Sequence, residues 1–453
     1  MNTAVDPLSS TWAHFSAQTG RSLSARVAGF TAWIKARTDQ GLLSFDRKLV
    51  GAPTPWATIR ERNGAVHEGL NFVSSDYLGL STHPLVKQAA QFAIGRFGTH
   101  SAGTAALAGT HTTAAALCEG LSRLVQLPHV ALQPSGWMAG YGAIRALVRP
   151  GDVVLLDDQA GSGLREGALR STPRVLRYRH LDIDHLQQCL QRLRARQSDD
   201  FILVATPSLF PTDGAAVDLA ALRSVCRSFD AVMLIDMAHD LGCIGPDGRG
   251  EAGLQSVAGE FDVVVGSLAK TFASTGGFVA SARTDLGDYL RAYSPTHTFS
   301  AALTPAQIAT ASAALQLVRS PEGAARRAAL QRAAVALRAS LTRHRFRLTG
   351  TPGPIVQIPL GNEVLGRHVA RVCAENGLLV TLLETPLVPR DRCALRLQVM
   401  AGHEPALFPE VARKLAEIVT QVGREGSTTP AHDLDADRRA ESAESEFSSW
   451  NRT

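Results

Sequence analysis

Between about residues 85 and 320 the chain alternates repeatedly between short apolar runs and longer stretches with helical spacing. VALQPSG (130–136), DVVLLD (152–157), FILVATP (201–207), AVMLIDM (231–237) and FDVVVGS (261–267) have strand length. They are near-continuously apolar, as strands buried on both faces must be. Segments 112–126 and 217–228 repeat apolar residues every three to four positions, which suits the helices that cover such a sheet. The alternation predicts an α/β fold with a mainly parallel central sheet, whose ligands gather at the carboxyl ends of its strands.

A second unit is expected beyond it. An Ala-rich helical stretch from about residue 305 leads to PIVQIPL (354–360), LLVTLL (378–383) and ALRLQVM (394–400), read as strands of a smaller C-terminal α+β domain. Residues 1–65 read as a helical arm followed by an irregular approach to the core. Residues 66–318 read as the large domain and 319–423 as the small one. The stretch 424–453 is rich in Ser, Glu and Asp. It cannot bury enough apolar surface to offset its ordering entropy, so disorder is expected there.

Charge and composition exclude several function classes. The net charge is only +5, and no basic stripe with interleaved aromatics occurs, so no nucleic-acid partner is expected. Arg326, Arg327 and Arg332 stand at helical spacing among alanines and read as a solvated helix face. No run approaches the roughly 20 apolar residues needed to cross a bilayer. The opening MNTAVDPLSSTWAHF has no basic segment followed by an apolar one, which leaves the cytoplasm as the expected location. Cys118, Cys189, Cys226, Cys243, Cys373 and Cys393 form no C-x-x-C pair, so reduced thiols and no metal site are expected.

Three features at strand ends carry chemistry. Asp236 ends AVMLID and is followed three positions later by His239; a buried carboxylate is stabilised by an opposite charge such as a cationic heterocyclic nitrogen. Lys270, in GSLAKTFASTGGF, stands where desolvation lowers an amine's pKa and makes it a nucleophile. Ser135-Gly136-Trp137 opens a helix after an apolar run, where backbone amides bind phosphate; Ser267 adds a hydroxyl from another strand end. Taken singly, each has a plainer explanation: a turn aspartate, a surface lysine, an ordinary strand–helix turn. Their joint order matches what pyridoxal phosphate requires, an anion cradle, an acid partner for the ring nitrogen and an amine.

Longer segments extend that match. N-F-V-S-S-D-Y-L-G-L (71–80), FGTHSAGTAALAGTH (97–111), IDMAHDLGCIGPDGRG (235–250), the Lys270 segment, FSAALTP (299–305) and ALRLQVMAGHE (394–404) together resemble the α-oxoamine synthases, fold-type I pyridoxal-phosphate enzymes. The resemblance covers about residues 40–423. It implies a transferase that condenses a small amino acid with an acyl thioester, acyl-CoA or acyl-carrier protein, with decarboxylation to an α-amino ketone. It also implies a homodimer with shared active sites. Lys270 would hold the cofactor as an imine and move the Cα proton. Asp236 would pair with the ring nitrogen and His239 with the phenolic oxygen. Ser135, Gly136, Trp137 and Ser267 would hold the phosphate, with Ser300 reaching it from the partner subunit. Arg396 would grip the amino-acid carboxylate, a task suited to a guanidinium, with Ser75 beside the substrate.

The departures are as informative. Ala160-Gly161-Ser162-Gly163 aligns with the family's N-H-A-S, so Gly161 replaces a histidine that stacks on the ring, and Trp137 is the candidate substitute. Pro211 replaces a serine near the cofactor, and Ser75 replaces an asparagine. Met237 and Asp240 replace an acid and a small residue, and Glu384-Thr385-Pro386-Leu387-Val388-Pro389 stands for R-P-P-T-V-P. These predict retained pyridoxal chemistry with an altered amino-acid or acyl pocket. Two rivals stay open: lyase or aminotransferase chemistry on the same scaffold, and a non-catalytic scaffold subunit.

Overall fold

The computed structural model describes residues 8, 10–16, 20–195 and 200–426. From residue 427 on, the stretch expected to be disordered lies outside them.

Helix Leu23–Asp39 starts at Ser22, whose side chain accepts from the Ala25 N–H and so satisfies one of the donors a helix start leaves free. The irregular approach predicted after it is instead sheet: β1 (Lys48–Leu49), β2 (Trp56–Arg60) and β3 (Val66–Asn71) pair antiparallel. In β2 buried and exposed residues alternate, and an Asn63-Gly64 pair with Gly64 at φ 92° turns the hairpin. Asn-Gly is a strong hairpin signal, and the sequence reading passed over it.

The central sheet holds β4 (His129–Gln133), β5 (Val153–Asp157), β6 (Val175–Tyr178), β7 (Ile202–Pro207), β8 (Val232–Asp236), β9 (Val263–Ser267) and β10 (Gly277–Ser281). Their order is β4-β10-β9-β8-β7-β5-β6. All five apolar runs are strands, and β5 to β9 run parallel. β10 lies antiparallel to both β4 and β9, so the sheet is mixed but mostly parallel. Two strands were not predicted. β6 is largely exposed at the sheet edge, and β10, though fully buried, contains Gly277 and Ser281, which dilute its apolar signature.

The small domain carries β11 (Ile355–Gly361), β12 (Leu378–Leu379), β13 (Thr381–Leu383) and β14 (Cys393–Gln398). The run read as one strand, LLVTLL, serves two sheets. β12 pairs parallel with β3, while β13 joins β14 and β11 in an antiparallel sheet ordered β11-β14-β13. Where β3 meets this segment, a Cβ on Gly69 would lie 2.1 Å from the Gly377 carbonyl oxygen, so only glycine allows the approach. Arg327 corrects the solvated-face expectation. It is buried, and its guanidinium donates to the carbonyls of Val318 and Pro246.

Candidate active site

The predicted residues come from adjacent strand ends. β8 ends at Asp236 and its neighbour β9 ends at Ser267, three residues before Lys270. Burial raises the Asp236 pKa, opposed by the Lys270 charge and by the Ala238 N–H, which donates to the carboxylate at 3.0 Å. Burial lowers the Lys270 pKa; the Asp236 carboxylate counters it and the Arg396 cation adds to it. The two side chains therefore share one buried environment and influence each other's protonation. His239 is half-buried, and its pKa is driven well down by desolvation and by the Lys270 and Arg396 charges, so the ring is neutral near pH 7. Its Nδ1 is 2.8 Å from the Tyr77 hydroxyl, whose oxygen also lies 3.3 Å from Gln398 Oε1.

The anion cradle is assembled where β4, β9 and β10 meet. Ser135 caps helix Gly136–Leu147, its side chain accepting from the Met138 N–H at 3.1 Å. A Cβ on Gly136 would fall 2.6 Å from Ser267 Cβ, and one on Gly277 would fall 2.5 Å from the Ser135 carbonyl. Both positions thus demand glycine. The helix start and the Ser267 hydroxyl are held close together, with amides and a positive dipole end facing one place. Trp137 stacks on Tyr141 at 5.3 Å between ring centroids and donates through its indole N–H to Ser162 Oγ at 3.0 Å.

Arg396 sits on β14, opposite Gln357 of β11. One terminal nitrogen donates to the Pro211 carbonyl at 3.0 Å, while its buried Nε has no partner. A buried orphan donor on a cation is costly, and a carboxylate is the group that would satisfy it. Ser75 is half-buried in the loop after β3, between Val73, whose carbonyl accepts from Gln398 Nε2, and Tyr77. Ser300 hydrogen-bonds none of the other predicted site residues. It stands beside the highly exposed Phe299, on a segment that Ala301 ties to Thr104 of the Gly-rich loop.

The departures resolve unevenly. No atom lies within 4 Å of where a Cβ on Gly161 would be, so that position is open space, with Trp137 anchored on the next residue. Glu384 does not face a substrate pocket as the sequence reading implied. It is buried between Arg37 and Arg367, with its Oε1 3.4 Å from Arg37 and its Oε2 2.6 Å from Arg367, and so fastens the arm to the small domain. Asp240 is also buried. It accepts from the Ser208 hydroxyl and the Glu251 N–H, each at 2.8 Å, and burial raises its pKa to about 7.

Sequence reasoning missed Tyr77 and Gln398 as the support for His239. Both stand inside segments already singled out, 71–80 and 394–404. It also missed His180, which bridges Asp157 and Asp213 at 2.8 and 3.0 Å; a lone histidine after a weak strand carries no pattern. A helix start closed against Ser267 by glycine, a neighbouring acid and amine, and a guanidinium with an unpartnered Nε together fit pyridoxal phosphate and an amino acid bound to it.

Comparison with known proteins agrees. A family model described as aminotransferase class I and II matches residues 67–415. An 8-amino-7-oxononanoate synthase of Geobacter sulfurreducens is 34% identical over 388 residues, spanning 85% of this chain and 96% of that protein. A serine palmitoyltransferase of Sphingobacterium spiritivorum is 31% identical over 353 residues, spanning 78% of this chain and 87% of its own. A solved serine palmitoyltransferase from S. paucimobilis, with a bound PLP–myriocin aldimine, matches with a TM-score of 0.83 at 26% identity. That match covers 89% of this chain and 100% of the other.

Proposed function

From the premise that this chain belongs to the aminotransferase class I and II family, we propose that it is a PLP-dependent C-acyltransferase of the α-oxoamine synthase type. A C–C bond forms between the Cα of a small amino acid and the carbonyl carbon of an acyl thioester. The C–S bond breaks and the thiol leaves, and the amino acid's carboxyl group departs as CO2. The product is an α-amino ketone.

When bound, pyridoxal phosphate supplies an aldehyde that condenses with amines and a cationic ring that takes up the electron pair left at Cα. The protein's residues do the rest. Lys270, whose amine burial makes easier to deprotonate against the pull of Asp236, is the group that holds the cofactor and carries the Cα proton. Asp236 gives the ring nitrogen a buried counter-charge, which keeps the ring cationic. His239, neutral and fixed by Tyr77, offers a hydrogen bond to the ring oxygen. The amides of Gly136 and Trp137, with Ser135 and Ser267, hold the phosphate. Arg396 takes the amino-acid carboxylate on its unpartnered Nε side, with Ser75 nearby.

A homodimer is part of the reading. Phe299, Leu107 and Phe92 are 84%, 85% and 70% exposed around the Gly-rich loop and the Ser300 segment. Such large exposed apolar side chains mark a protein interface, and a second copy would bring Ser300 to its neighbour's phosphate. Six unpaired cysteines fit a reducing compartment, the cytoplasm.

The observation that carries the proposal is that Asp236 and Lys270 follow the ends of the paired strands β8 and β9, beside the helix start that Gly136 closes against Ser267. Borohydride reduction of holoenzyme should trap the cofactor on Lys270. Glycine, L-alanine or L-serine should shift the cofactor's absorbance, and adding an acyl thioester should release CO2. An unlabelled Lys270 would revive the scaffold-subunit reading. A spectral shift without thioester-dependent CO2 would favour lyase or aminotransferase chemistry, a reading that the open space at Gly161 keeps in play.

A further inference from the structure

The end of β5, the segment after β6 and the turn after β7 converge on one imidazole. His180 Nδ1 lies 2.8 Å from Asp157 Oδ1, and its Nε2 lies 3.0 Å from Asp213 Oδ2. Its ring packs edge-on against the buried Phe210, at 4.4 Å between centroids. Asp157 is anchored to the large sheet, since its carboxylate also accepts the N–H groups of Gln159 and Leu181. Asp213 belongs to the turn closed by the Leu209–Ala216 bridge, whose Pro211 carbonyl holds Arg396 at 3.0 Å. The same turn meets the small domain, because the carbonyls of Asp213 and Gly214 accept from the hydroxyls of Thr349 and Thr351.

We propose that His180 is a positioning residue for amino-acid binding: by bridging Asp157 and Asp213 it fixes the 209–216 turn, and that turn's Pro211 carbonyl aims the Arg396 guanidinium. The inference rests on the reading of Arg396 as the carboxylate site. A cation between two carboxylates is held from both sides. Without it Asp157 and Asp213 face each other as like charges over a hole, and the turn must move. A misplacement of about 1 Å in a binding group can cost roughly 10²-fold.

The bridge is also titratable. Hydrogen bonds and charge from Asp157 and Asp213 outweigh burial and raise the His180 pKa to about 9. The other charged groups near it are Asp158, paired with Arg177 at 3.5 Å, and His185 of helix Ile183–Arg194, whose Nδ1 accepts from the Arg179 N–H. Because the folded pKa lies above the ordinary 6.5, the bridge is complete at neutral pH and is lost as pH rises through about 9.

The test titrates holoenzyme with glycine, L-alanine and L-serine, reading cofactor absorbance, for wild type, His180→Asn, Asp213→Asn and Arg396→Ala. His180→Asn is expected to keep borohydride trapping on Lys270 while its dissociation constant for the amino acid rises on the order of tenfold. Asp213→Asn, which leaves the His180–Asp157 contact, should give a smaller rise in the same direction and stands in if His180→Asn does not fold. In wild type the constant should climb between pH 8 and 10; His180→Asn should lack that part of the climb, whereas the amino acid's own titration is common to both proteins. If Arg396→Ala weakens binding but both bridge variants bind like wild type and only melt earlier, the inference is overturned and the carboxylate reading stands. If Arg396→Ala itself binds like wild type, the carboxylate reading falls and takes the inference with it.

Discussion

Burial sets the protonation states that the chemistry needs, and it acts on Asp236 and Lys270 in opposite directions. Asp236 is pushed up and Lys270 down, and the charge of each opposes the other's shift. Asp236→Asn should therefore keep the Lys270 adduct but lower kcat by roughly 10²-fold or more, the scale of a lost proton-handling group; steady-state rates beside borohydride mapping check this. Because the Lys270 pKa is depressed, the rise in activity on deprotonating the amine should fall below pH 10.5 in a kcat profile, since that amine is free only once the substrate has displaced it from the cofactor. Both residues were legible in the sequence because each follows an apolar strand-length run, where a charge is conspicuous. Tyr77 was not assigned a role, since it reaches His239 across 162 positions and such a contact leaves no local trace. Arg396 was legible through the segment around it, but its unpartnered Nε is a fact of packing.

At the scale of elements, the long parallel strands were read and the short or diluted ones were not. Near-continuous apolar runs identify β5, β7, β8 and β9, whereas β10 is hidden by its Gly and Ser and β6 by its exposure. The Glu384 segment shows how an element's neighbours change the meaning of a substitution. Read as a pocket change, it proves to be an ion triad joining helix Leu23–Asp39 to the small domain. The triad adjoins a cluster of Phe15, Trp33, Ile34 and Leu43, with the Arg37 guanidinium 4.2 Å from the Trp33 ring. Removing one partner of a buried pair strands the others, at about 3–5 kcal/mol. Glu384→Ala should lower the unfolding midpoint and loosen the arm, seen by denaturant titration and by faster proteolysis within residues 20–45. The cofactor's absorbance should stay unchanged.

At the scale of the whole molecule, the proposed homodimer would tie assembly to activity through the exposed Phe299 next to Ser300. Phe299→Asp places a charge in the surface read as the dimer contact. It should shift the protein toward monomer in sedimentation and weaken cofactor retention, while leaving the monomer folded by circular dichroism. A variant that stays dimeric would remove Ser300 from its neighbour's site. The change from β-α pairs to Ala-rich helices near residue 305 was legible in the sequence. The crossing of β3 to β12 was not, since two residues of parallel pairing have no pattern of their own.

That crossing has a consequence for how the chain is made. Leu70 pairs with Leu378 and Asn71 with Leu379, so the β2–β3 hairpin waits with one edge bare for some three hundred further residues of translation. Until then the newborn chain presents an open strand edge. The β1-β2-β3 sheet and the small domain can thus reach their final form only together.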